Sequence, residues 1–403
     1  MLREEIFAKA KENFDYMVKI RRELHKIPGV GFENFPTINF IKNELENIGI
    51  NSDFCGKCAL VADIGKGQTD KCILLRADTD ALAINEQADL DFKSTNGNMH
   101  ACGHDMHAAM LLGCAKILKE YEDRISGTVR LVFQSGEEIL KGAADMIENG
   151  VLTNPVPSFA MMLHVMSALP LECGTIIVSS PGVSAPSADF FEIEIQGSAC
   201  HGSAPVDGND PVYTGAAIVT ALSEINAREL SMQDMAVLTV TSFVSGESAN
   251  AIPDKAHLKG SFRTFDEELR IKIKERLVQI CQGIAKVFRT TATVNFFSTC
   301  PSLLNDQVVS EKLYSYAKDM FGASVFTSEE FSKNSAKKGI QGSEDFAYIS
   351  REIPSCMLAI VAGNSLDGYE YPLHHPKVRF DENALVKGAA IFAFTVITEC
   401  GQS

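Results

Sequence analysis

The stretch KCILLRADTDAL, residues 71–82, reads as a strand that runs out into two acids, Asp78 and Asp80. Its apolar residues form a run rather than alternating with polar ones, so the sheet it belongs to is covered on both faces. ALVADIG, TVRLVFQSG and FAMMLHV, which follow it or flank it, have the same texture. Between these runs, apolar spacings of three and four predict helices over 4–26 and 37–48, with Gly49 as a C-terminal cap. Further helices are predicted from about His104 to Glu120 and over 142–149. Strands alternating with helices make this part α/β, a mixed or largely parallel sheet with helices on both faces.

The pattern changes near residue 182. SSPGVSAPSAD is a linker of small residues and prolines, followed by FFEIEIQG, a half-buried alternating strand. Helices near 211–227 and 267–288 lie among the strands MAVLTVTSFVSG, KAHLKGSFRTF and TATVNFF, which describes a two-layer α+β domain. From 301 the α/β texture returns, with helices near 306–321 and 383–399 around CMLAIVAG. The expected division is therefore a domain of residues 1–181 and 299–403 carrying an inserted domain, 182–298. A chain of 403 residues is long enough for two cores.

The net charge of −15 argues against nucleic acid or an anionic membrane as partner, since both need a basic footprint. No apolar run approaches membrane-spanning length, and the first twenty residues lack the apolar core of a signal peptide. Eleven cysteines without regular spacing fit reduced thiols, so the expected location is the cytoplasm. Cys55 and Cys58 form a CxxC with no second CxxC to complete a zinc ribbon, and read as two cysteines before a strand.

Open α/β sheets place ligands at the C-terminal ends of their strands. Here those ends carry Asp78 and Asp80, Glu137 and Glu138, and His164, while HACGHDMH (100–107) precedes a helix. Cys102 and His104 converge only if Gly103 makes a turn, because residues two apart on a helix point different ways. A thiolate and an imidazole suit zinc or another late divalent metal, and carboxylates also admit manganese. Alone, the segment is equally a Cys/His nucleophile or a set of histidines satisfied by local hydrogen bonds. The adjacent Glu137 and Glu138 favour a cation, since one of them is expensive to bury without it. In extended chain they face opposite ways, leaving one for metal and one for general-base work.

LLRADTDALAINE, HACGHDMHAA, FQSGEE, LHV, GSACHGSAP, ANAIPD, GSFRTFDE, GSEDF and LHHPKVRFDE occur in this order. In this the chain resembles the metal-dependent amidohydrolases of the aminoacylase and carboxypeptidase-G type. Within them it is most similar to the branch of hippurate hydrolase, indoleacetyl-amino-acid hydrolase and N-acetyldiaminopimelate deacetylase. The resemblance covers nearly the whole chain and implies that the inserted domain is a lid that makes a homodimer.

It further implies a two-metal centre with Cys102, His104, Glu138, His164 and His374 as ligands and Glu137 as general base. The cations are expected to be zinc or manganese, with nickel or cobalt also fitting. Asp80 matches a position that orients a ligand from behind, whereas Asp78, Asp105, His100, His107 and His375 are not expected to bind metal. His201 matches a histidine that stabilises the oxyanion from across the dimer. Asn250 and Arg263 match positions that bind a substrate carboxylate, a task to which the planar guanidinium is suited. The implied reaction is deacylation of N-acyl amino acids by a metal-activated water, with a dipeptidase or carboxypeptidase on the same centre as the alternative. Two departures stand out: Cys200 replaces a common glycine, and FQSGEE replaces a more usual Pro-Ala before the glutamates.

Overall fold

The computed structural model describes residues 2–334 and 342–401. Among these the chain forms two compact units. Residues 2–184, 304–334 and 345–401 make the first, and 185–303 with 342–344 the second.

The first unit is built on a mixed eight-stranded sheet. Its strands lie in the order Asp53–Phe54, Ala59–Ile64, Thr128–Gln134, Cys72–Asp78, Phe159–Met166, Ser355–Val361, Ile176–Val178 and Val325–Thr327. The strand Cys72–Asp78, buried at every residue, pairs parallel with Thr128–Gln134 on one side and Phe159–Met166 on the other. Ala59–Ile64 is antiparallel to Thr128–Gln134. Alternation along the central strands sends Ile73, Leu75, Leu131, Phe133, Met161 and Leu163 into one apolar core. The helices His104–Glu120 and Ala384–Cys400 contribute to that core and pack on each other. With the strands parallel, the ends that carry Asp78, Gln134 and His164 lie side by side.

The long helix expected over 4–26 is two helices, Leu2–Glu12 and Phe14–His25. Asn13 interrupts them: its side-chain amide donates back to the Lys9 carbonyl (3.1 Å), the competition with backbone bonding that makes Asn a poor interior residue.

The second unit is a four-stranded antiparallel sheet in the order Ala236–Ser245, Lys255–Thr264, Ala188–Gln196, Thr291–Cys300. Burial alternates along Lys255–Thr264, and the inward set packs with the helices Pro211–Glu224 and Glu267–Val287 into its own core. Asp210 and Asp266 cap the two helices by accepting from first-turn N–H groups.

Candidate metal centre

The centre is assembled where three parallel strands end beside the start of the helix His104–Glu120. Gly103 turns the chain there with φ +85°, and a Cβ on it would lie 2.3 Å from Val165 Cγ2 and 3.0 Å from the Phe380 ring. Only glycine fits that turn, and the turn is what lets Cys102 and His104 converge. His104 Nδ1–H donates to the Asp80 main-chain oxygen (2.9 Å), and His164 Nδ1–H donates to the Val165 carbonyl (2.7 Å). Both rings therefore carry a proton on Nδ1 and turn Nε2 toward the other donors, the arrangement a metal ligand needs. His164 Nε2 lies 3.5 Å from Cys102 Sγ. His374 Nε2 lies 3.3 Å from the same sulfur and 3.6 Å from Glu138 Oε1. His374 itself has φ +67°, a left-handed conformation rare for its type, and its N–H is tied to the Ala101 carbonyl. Such conformations cluster where a side chain must be aimed.

The two glutamates follow the strand Thr128–Gln134. Asp80 holds them: its carboxylate accepts the backbone N–H of Glu137 (3.1 Å) and of Glu138 (3.2 Å). Among the sets of ligand atoms that lie within 4.8 Å of one another are Cys102, His104 and His164; Cys102, Glu138 and His374; His104, Glu137 and Glu138; and Asp78, His104 and His107. His104 Nε2 and Glu138 Oε1 are buried with no hydrogen-bond partner. Burial pushes the Glu138 carboxyl above its usual range. Buried lone pairs left unsatisfied are penalised, and a divalent cation satisfies both at once. The residues present thus fit a metal centre. Its overlapping sets, with Cys102 in two of them and His104 in three, fit more than one ion.

The other residues singled out in the sequence have different partners. Asp80 meets His104 through its carbonyl at hydrogen-bond distance, its carboxylate oxygen being 3.7 Å away. His375 stacks on Tyr371 with ring centroids 4.4 Å apart. Asp105 is buried against Arg21 and His25, and although burial alone would raise its carboxyl, those cations hold it well below the carboxylate range. His100 is buried beside them, and burial pulls its imidazole down to about 3. His107 is likewise pulled by burial to about 4, so it sits neutral.

Sequence reasoning missed a buried charge network behind the centre. Arg76 bridges Asp78 (2.8 Å) and Asp345 (2.7 Å), and Gln134 donates to both oxygens of Asp345. The signal was available: an arginine inside ILLRAD, on a strand covered on both faces, requires a buried counter-charge.

In the second unit His201 and Asn250 lie together. His201 pairs with Ala251 across a two-stranded ladder, and Gly202 N–H donates to the Asn250 carbonyl (2.8 Å). Ser203 N–H donates to His201 Nδ1 (3.2 Å), which leaves the ring proton on Nε2 of an exposed side chain. Asn250 Oδ1 accepts from Ser248 (2.6 Å). Arg263 is half-buried on the strand Lys255–Thr264 and donates to Ser343 (2.7 Å).

Residues 74–398 match the description of peptidase family M20/M25/M40. The chain belongs to this family. The M20 chain is 35% identical over 393 residues to IAA-amino acid hydrolase ILR1-like 2 of Arabidopsis thaliana, covering 96% of itself and 86% of that protein. It is 34% identical over 380 residues to N-acetylcysteine deacetylase of Bacillus subtilis, covering 94% and 95%. Among solved structures, the Bacillus subtilis YXEP protein, described as a dinuclear metal-binding peptidase of the M20 family, matches with a TM-score of 0.77. That match is at 32% identity and covers 97% of this chain and 99% of that one. The mixed α/β architecture with a second inserted domain is shared with these M20 structures, and the chain is an M20-family hydrolase.

Proposed function

We propose that the chain hydrolyses the amide bond of N-acyl amino acids, using Cys102, His104, Glu138, His164 and His374 to hold two divalent cations. The observation that carries this is the convergence of two buried ligand atoms without hydrogen bonds, His104 Nε2 and Glu138 Oε1, with a thiol and two further imidazoles. The names of the two relatives, an amino acid conjugate hydrolase and an N-acetylcysteine deacetylase, support the substrate class. Zinc suits the sulfur and nitrogen donors, and manganese suits the carboxylate. Cations bound there supply the charge that acidifies a water and polarises the scissile carbonyl.

Glu137, 7% exposed and set beside the ligand Glu138, takes the proton of the attacking water and returns it to the leaving amine. His201 donates Nε2–H to the developing oxyanion. Asn250 and Arg263 bind the free carboxylate, which selects N-acyl amino acids over neutral amides. His201 is supplied by a second copy of the chain in a homodimer. In support, Ala236–Ser245 is an edge strand that exposes Val237 and Val244, at 53% and 64%.

The test is a panel of N-acetyl and N-benzoyl amino acids and dipeptides, assayed for released amine with and without chelator. Turnover of the acyl amino acids, lost on chelation and restored by added metal, is expected. Dipeptides turning over faster would move the reading to a peptidase, and turnover blocked by thiol alkylation but indifferent to chelators would make Cys102 a nucleophile.

A further inference from the structure

His107 is three residues into the helix that starts at His104 and is buried, with a ligand atom within 4.8 Å of those of Asp78 and His104. Both of its nitrogens are committed. Val165 N–H donates to Nε2 at 2.8 Å, so Nε2 carries no proton, and Nδ1–H donates in a short bond to Asp78 Oδ1. The other oxygen of Asp78, Oδ2, accepts from Arg76 Nη1 (2.8 Å) and lies 3.6 Å from His104 Nε2, the buried lone pair with no hydrogen-bond partner. The peptide on the far side of His107 is equally placed, because the Val165 carbonyl accepts His164 Nδ1–H. One imidazole therefore ties together the two histidines that flank Cys102. Through Asp78 it fixes a carboxylate beside His104, and through Val165 it fixes the backbone that sets the tautomer of His164.

We propose that Asp78 and His107 are a positioning pair for the metal centre. Asp78 is a fixed negative charge that raises the affinity of the cation at His104 without being displaced toward it. His107 locks that charge and the His164 ring in register. The proposal rests on the metal-centre reading and adds two residues that neither ligate nor touch substrate. A burial role alone asks only for a shape that fills the space, whereas the pair asks for a donor toward Asp78 and an acceptor toward Val165. Glutamine offers both from one side chain, and phenylalanine offers neither.

The test is cation affinity, measured by competition of zinc and of manganese between a coloured chelator and the purified full chain, with circular dichroism of each metal-free variant as a folding control. His107→Phe is expected to weaken binding at one of the two sites by about 10–100-fold, and His107→Gln to recover most of it. Asp78→Asn, close to isosteric, is expected to weaken the same site while leaving the metal-free fold intact. A folded His107→Phe that binds both cations as tightly as the parent overturns the proposal. If His107→Phe does not fold, Asp78→Asn decides, and unchanged affinity in that variant overturns it equally. A parent chain that takes up no cation overturns the metal centre itself, a different failure from variants that match a metal-binding parent.

Discussion

The candidate centre in the first unit and the turns that carry His201 and Asn250 in the second hold their polar groups by opposite means. Around Cys102 every aimed ring in the interior is fixed from behind: His104 by the Asp80 carbonyl, His164 by the Val165 carbonyl. The two glutamate backbones are fixed by the Asp80 carboxylate. The His201 and Asn250 side chains are exposed and hydrogen-bond to Ser203 and Ser248 from within their own turns. Preorganisation in a buried site keeps catalytic groups in place at no further cost when substrate arrives, while an exposed pair acquires its final geometry from whatever docks on it. Substitutions that disturb the packed turn at Gly103 should then damage site and fold together in the first region, whereas substitutions in the second should leave the fold untouched.

The largest expected effect is Glu137→Gln, which should lower kcat by about 10³–10⁴ while metal content and thermal midpoint stay at parental values. Steady-state kinetics with elemental analysis checks it, and retained turnover would break the general-base assignment. His201→Ala should lower kcat by about 10²–10³ with metal content unchanged. Mixing it with Glu137→Gln should restore part of the activity if each copy supplies the other's histidine, whereas no restoration would place His201 within its own chain's site. Gly103→Ala should destabilise the fold by roughly 1–3 kcal/mol, read as a lower denaturation midpoint, because the added methyl collides with Val165 and Phe380. The matching change outside, Asn250→Ala, should leave that midpoint within about 0.5 kcal/mol. Smallest is Arg263→Lys, which should raise KM about tenfold for N-acyl amino acids and leave kcat near parental, since lysine cannot meet a carboxylate bidentately.

Much of this was legible in the sequence, for reasons that differ by residue. The unbroken apolar run of Cys72–Asp78 announced a sheet covered on both faces, and the change to alternation after 182 announced a two-layer α+β unit. Gly103 between Cys102 and His104 announced the turn, because no other residue adopts φ +85° with a neighbour 2.3 Å from its absent Cβ. The rest was hidden because it depends on contacts distant in sequence. Asp345 is 269 residues from Arg76, and nothing local to GSEDF says which basic group it will meet. His107 read as a bystander because spacing gives the direction of a side chain but not its tautomer. That was decided only when the N–H of Val165, 58 residues away, was seen to occupy Nε2. The break at Asn13 was missed because apolar periodicity continues across it.

The central claim is that five donors hold two cations, and counting the metal tests it most directly. The purified chain, dialysed against zinc or manganese and then against buffer, should retain two divalent ions per chain by elemental analysis. Cys102→Ala, which removes the sulfur common to two donor sets, should retain fewer. A parent that retains none, or a Cys102→Ala variant that retains the full complement, would contradict it.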